Sequence, residues 1–406
     1  MGFYIMLYIA VLIIAIPCYL PKKLSKKQKD MLYLTITGGL LAFLSAIRYD
    51  IGFDYSYVYA PFYEKILQSP ITNIFNERHE IGFVILEYIT ASFSQNFQMV
   101  FVVTSILLIL LYFVYFYKYS CNMVMSVAMF MLWGYYFCSM NFVRQTIASG
   151  IFLYAVQSVI EKKPIKYVLI TLLAASFHKS ALIMLPFYFI LQIKINKKVL
   201  VLYCSAVAFI FSTSHIFLEF ATEKWFTWYN LNDWHISRGY PWITAILPVI
   251  MFIIFYTFSD VLERINPQYS VLVSSSFFSA FFFVIALKHS ILDRFSLYFE
   301  PVMLVGTTYI ITGLYEQLKK SKEKSNIRRT ERMKKKFYAV SAVISVISVF
   351  QGWWFLYFDG HCVIPYQTIY DQEFYQLYVQ SLEEGTGVFA GEYDEDIVEP
   401  VMLPED

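Results

Sequence analysis

Along this chain, apolar runs about as long as a bilayer-crossing helix alternate with short polar stretches. Residues 3–20, 31–47, 98–117, 121–138, 144–160, 199–218, 242–259, 271–287, 295–318 and 337–358 each come near the ~20 apolar residues needed to traverse a ~30 Å hydrocarbon core. Backbone polar groups inside lipid must be satisfied within the segment, which favours helices. The pattern therefore predicts an all-α polytopic membrane protein of about 10–12 transmembrane helices.

Two stretches break the rhythm. Residues 81–93 are apolar but short and carry Glu87, so they are expected to form a half-inserted helix. Residues 167–191 begin and end beside basic loops and must therefore cross an even number of times. They fall well short of the ~40 residues a full pair of spans needs. A re-entrant or short helical hairpin follows, with Phe177, His178, Lys179 and Ser180 at its middle. Non-helical backbone at such depth must be covered by protein or line a water-filled cavity.

Charge fixes the orientation. The basic runs at 22–29, 162–166, 194–198 and 319–336 fall on one side of this threading, and the last holds ten basic residues against two acidic ones. Lys and Arg next to spans mark the cytoplasmic side, and the last run suits contact with anionic lipid. A single transmembrane domain is thus expected over 1–358, with extracytoplasmic loops at 48–97 and 219–241 and a cytoplasmic loop at 319–336. The stretch 359–406, with twelve acidic residues and no Lys or Arg, is expected to form an extracytoplasmic tail. Residues 3–20 have lysines after them rather than before and no small-residue cleavage site, so they read as a retained first helix.

Composition narrows the classes further. With 58% hydrophobic and 15% charged residues and a mean hydropathy of +0.53, the chain has too little polar surface for a soluble globule of this size. Its basic runs lack interleaved stacking aromatics, which argues against nucleic acid. The five cysteines are scattered without a CxxC pair and read as small apolar residues. Neither cysteines nor histidines show metal-ligand spacing, so no metal or other cofactor is expected.

Ionisable residues at membrane depth point to function. Arg48, Gly52, Asp54 and Tyr55 form a polar turn where the second helix ends, suited to a phosphate, a sugar hydroxyl or a metal, and equally to a helix-end Arg–Asp pair. Arg144 and Gln145 open a helix at the outer face, where backbone N–H groups favour an anion; Arg144 also suits an interface anchor. Arg294, beside Asp293, has the same placement. His178, at the hairpin's middle, suits a general base or a helix-end hydrogen bond. Glu80 suits substrate contact or a charge at a helix N-terminus. Trp225, Trp228, Trp234 and His235 suit a sugar platform and, more simply, an interfacial anchor.

Taken together, Arg48, Gly52, Asp54, Tyr55, Glu80, Gly82, Asn141, Arg144, Gln145, Phe177, His178, Ser180, Arg294, Tyr298 and the run Ile364-Pro365-Tyr366 resemble, in order over nearly the whole chain, the EpsG family of exopolysaccharide proteins, which are similar to Wzy-type polymerases. The resemblance implies a GT-C-like or O-antigen-polymerase-like helical bundle. It implies polymerisation of undecaprenyl-diphosphate-linked oligosaccharide repeat units at the outer face of the bacterial cytoplasmic membrane, without a cofactor. It places Arg144 and Arg294 on the diphosphates and His178 as base, with Asp54 or Glu80 as alternative bases. Arg48, Asp54, Tyr55, Glu80, Gln145 and Tyr298 would bind substrate. Implied partners are the lipid-linked repeat, the bilayer, a flippase and a chain-length regulator. Rival readings are a flippase for the same lipid, a polyprenyl-phosphate-sugar glycosyltransferase or acyltransferase, and a non-catalytic scaffold.

Overall fold

A computed structural model describes residues 1–71, 79–224, 239–266, 269–323 and 327–370. The Trp-rich stretch 225–238, most of the acidic tail and part of the 319–336 loop lie outside them.

The described elements are helical throughout. In order they are α1 (Gly2–Tyr19), α2 (Lys26–Ala46), a π-turn (Tyr55–Tyr59) running into α3 (Ala60–Gln68), α4 (Ile81–Ala91), α5 (Gln98–Tyr119), α6 (Met123–Leu132), α7 (Tyr135–Asn141) and α8 (Val143–Ile160). Then come α9 (Pro164–Ala175), a 3-10 turn (Lys179–Met184), α10 (Phe187–Ile190), α11 (Lys197–Lys224), α12 (Ile243–Thr257), α13 (Ser259–Ile265) and α14 (Tyr269–Ala286). A second 3-10 segment (Ser290–Tyr298), α15 (Glu300–Glu323) and α16 (Ile327–Phe358) follow. The protein is a multi-pass membrane protein.

Among the described residues, five helices are long and apolar enough to cross a membrane, or up to eight if each bent pair is one span. The sequence count of ten to twelve also includes α2 and α8, in which Lys26, Lys27, Lys29 and Asp30, or Arg144 and Gln145, dilute the apolar run. The span expected over 121–138 is bent by 51° between α6 and α7. The hairpin is present: α9 opens with Pro164 at its first turn and has 12 residues, about 18 Å of helix. The Tyr167 hydroxyl in α9 donates to Met184 O at 2.6 Å and ties the outgoing arm to the returning one.

Charge sorting survives folding. At one end, Lys29 Nζ bonds Tyr19 O at 3.0 Å and Lys26 Nζ bonds Cys121 O at 3.4 Å, so α1, α2, α5 and α6 meet among lysines. Ser25 caps α2 there, its hydroxyl and the Gln28 side chain satisfying each other's backbone N–H. At the opposite end, the segment after α16 folds back over the first two helices. Phe3 stacks on Tyr366 at 4.0 Å, the Tyr366 hydroxyl donates to Leu44 O at 2.7 Å, and Arg48 pairs with Thr368.

The main core is a continuous body of buried side chains reaching from α1 to α16, with a small separate cluster of Phe62, Ile66 and Val84 between α3 and α4. Tyrosines stitch it: Tyr136 donates to Leu41 O at 2.8 Å, Tyr154 to Leu111 O at 3.0 Å and Tyr309 to Tyr119 O at 2.8 Å. Each such bond fills a carbonyl lone pair that lipid leaves empty, for about 0.6 kcal/mol apiece. α14 is central, with 78% of its apolar window buried, whereas the apolar window of α11 within Lys197–Ile216 is only 6% buried.

Candidate functional site

At the end opposite the lysines, the chain breaks at Phe142 between α7 and α8. That break puts Arg144 in the first turn of α8, where its backbone N–H reaches the Tyr59 hydroxyl at 3.4 Å. Its guanidinium Nη1 donates to Glu80 Oε2 at 2.6 Å. Glu80 stands at the N-cap of α4 but makes no cap bond. Its second oxygen instead accepts the Lys179 N–H at 3.1 Å. One carboxylate thus joins α8 to the hairpin tip.

Gly82 makes that possible. Its N–H donates to Ser176 O at 2.7 Å, and a Cβ there would lie 2.4 Å from Ser176 Oγ. Only a residue without a side chain lets α4 dock so close to the end of α9.

His178 precedes the 3-10 turn. Its Nδ1 accepts the Ser180 N–H at 3.3 Å and lies 2.7 Å from Ser180 Oγ. Ser180 Oγ in turn lies 2.7 Å from the Tyr298 hydroxyl, which is fully buried. Tyr298 closes the 3-10 segment that carries Asp293 and Arg294. Arg294 O accepts Gln145 Nε2–H at 2.8 Å, and its guanidinium lies over Phe142, 4.3 Å from the ring centre. Asp293 does not pair with it within 4.0 Å; Asp293 faces the Tyr240 hydroxyl, whose pKa its charge, then burial, pushes far up.

Asp54 enters from the turn after α2. Its N–H donates to Asn141 Oδ1 at 3.0 Å, and its half-buried carboxylate lies near enough to Arg294 and Arg144 to feel both charges. Burial raises its pKa, and the two arginines only partly offset this. The turn is held by Gly52, which has φ +90° and whose absent Cβ would lie 2.6 Å from Met140 O.

The structure thus brings together Asp54, Glu80, Arg144, Gln145, His178, Arg294 and Tyr298, with Gln145 and Tyr298 as supports inside the wall. It does not bring Arg48 and Tyr55 into this group. Arg48 is 1% exposed; its guanidinium bonds Ser45 O, Ser45 Oγ at 3.0 Å, Ser105 Oγ at 3.3 Å and Met140 O at 3.4 Å, and lies over Phe101. The cation closes the C-terminal end of α2, where the helix dipole favours it. Tyr55 stacks on Phe101 at 4.2 Å and donates to Gln98, equally enclosed.

Sequence reasoning passed over His361. Its Nδ1 lies 3.1 Å from Asn141 Nδ2, its Nε2 3.5 Å from Cys138 Sγ, and its ring meets Phe142 edge-on at 4.7 Å. Burial, reinforced by Arg294, lowers its pKa to about 4, so it is neutral. Its one signal in the sequence is nearness to Ile364-Pro365-Tyr366.

The EpsG family model matches residues 31–368, which include every residue of this group. The chain belongs to the EpsG family. No curated protein matches it, and no solved structure does. Family membership supports a polysaccharide-polymerase type of role in the broad sense. The matched region of this EpsG-family protein ends at Thr368, the residue that pairs with Arg48, and leaves out the acidic tail.

Proposed function

We propose that this protein polymerises undecaprenyl-diphosphate-linked oligosaccharide repeat units at the extracytoplasmic face of the bacterial cytoplasmic membrane. A hydroxyl of the incoming lipid-linked unit attacks the anomeric carbon of the growing chain. The new glycosidic C–O bond forms as the bond to the diphosphate oxygen breaks, and the lipid diphosphate leaves with the electron pair. A flippase that delivers the units and a chain-length regulator are the partners this reaction calls for.

The observation that carries the reading is the convergence of two arginines, two carboxylates and a histidine from separate segments at the end away from the lysine-rich loops. Arginines suit a diphosphate because their planar forks match its oxygens and keep their charge. Fixed in a partly dry site, they offset charge as it develops on the leaving group. A flippase places such charges near the bilayer midplane; here they sit at one end.

The test is to supply purified lipid-linked repeat to the purified protein, with EDTA present, and resolve the products by size. A ladder of lengthening glycans is expected. Units that remain single, or that only change leaflet in vesicles, overturn the proposal.

A further inference from the structure

Resting on that reading, we propose that Asp54 is the base that takes the acceptor hydroxyl's proton, and that His178 is a neutral donor whose Nε2–H meets the departing diphosphate.

The histidine's tautomer follows from its neighbours. A backbone N–H can only donate, so Ser180 N–H at 3.3 Å makes His178 Nδ1 an acceptor. The Ser180 hydroxyl, 2.7 Å away, then donates to the same nitrogen, and the Tyr298 hydroxyl donates to Ser180. All three hydrogen bonds run toward Nδ1. The ring's proton therefore sits on Nε2, and among the described residues Nε2 has no partner. A ring held this way offers a hydrogen to the site and has no lone pair there to receive one.

The acids sort themselves by partner. Glu80 has both oxygens engaged, by Arg144 Nη1 and by Lys179 N–H. Asp293 faces the Tyr240 hydroxyl. Glu300 is 3% exposed and is approached by Ser296 Oγ at 3.5 Å. Asp54 differs: among the described residues its carboxylate has no hydrogen bond and no ion pair within 4.0 Å, though it feels Arg144 and Arg294. Its backbone is anchored through Asn141, so the side chain is aimed while its oxygens stay open. In the transfer, the acceptor oxygen bonds the anomeric carbon and its proton passes to Asp54. The bond to the diphosphate breaks toward Arg144, Arg294 and His178 Nε2–H, and Asp54 then releases the proton to water.

Chemical rescue separates the two roles. In the ladder assay, Asp54→Ala is expected to slow chain growth by about 10²–10⁴-fold, the usual weight of a general base, with added formate restoring part of the rate. Asp54→Asn, nearly isosteric, should show the same loss with the fold intact by size-exclusion and thermal melt. His178→Gln, which keeps a neutral N–H donor, should stay within about tenfold of wild type, below the loss a missing base gives. A folded Asp54→Ala that keeps wild-type rate or that formate leaves inert overturns the assignment, as does a folded His178→Gln that loses as much rate as Asp54→Asn. Failure of the wild-type protein to make any ladder is a different result, which removes the polymerase reading itself.

Discussion

Glu80 and Arg144, 64 residues apart in the chain, meet at 2.6 Å with both side chains mostly shielded from solvent. Because the other Glu80 oxygen holds Lys179 N–H, this pair fixes the first turn of α8 against the tip of the hairpin. Removing one partner leaves the other's charge mostly buried and uncompensated. Glu80→Ala is therefore expected to lower stability by about 1–3 kcal/mol, read as a lower melting temperature in detergent, and to cut chain growth more steeply than the melt alone explains. Glu80→Asp, too short to hold both contacts, should fall between.

Gly82→Ala puts a methyl 2.4 Å from Ser176 Oγ and 2.7 Å from Ser176 O. Backbone cannot retreat as a flexible side chain can, so α4 must move off the hairpin. A loss of about 1–3 kcal/mol with reduced activity is expected. Gly39→Ala, whose methyl meets nothing within 4 Å, should be neutral or stabilising by up to about 1 kcal/mol. Parallel melts of the two variants check the contrast.

Arg48 is enclosed by carbonyls, hydroxyls and Phe101. Arg48→Lys is expected to cost folded yield and thermal stability, because one ammonium cannot span acceptors arranged for a planar fork. The surviving folded protein should keep a near-normal KM. A raised KM at normal stability would put Arg48 on the substrate instead.

Asp54 sets a pH dependence. Its carboxylate is the active form, and burial raises its pKa above the ordinary range near 3.9. The rate should therefore fall as pH drops through that raised value and hold above it. The groups facing Asp54 are Arg144, Arg294 and the Tyr59 hydroxyl. Arg294→Gln removes a charge that lowers the pKa, so it should move the acid limb to higher pH. A limb that stays put in kcat/KM profiles of the variant argues that another group titrates.

Some of this was legible in the chain alone. Apolar run length and lysine placement announced a multi-pass helical protein with its ionisable residues gathered away from the lysines, because lipid imposes both rules locally on each segment. The even-crossing argument for 167–191 foretold a hairpin with His178 near its tip. Residue type also marked Asp54, Glu80, Arg144 and Arg294 as out of place in an apolar chain.

Local pattern was silent on who meets whom. Arg48 and Arg144 look alike in sequence, each at the end of an apolar run, yet one closes a helix terminus inside the protein and the other faces the group at the hairpin. His361 comes near Asn141 only because the segment after α16 doubles back across α1 and α2. The state of His178 was equally hidden, since it depends on which N–H points at Nδ1. Hydrophobicity acts residue by residue and so can be read from order alone. Hydrogen bonds depend on distance and direction between groups far apart in the chain, and those exist only once the helices have packed.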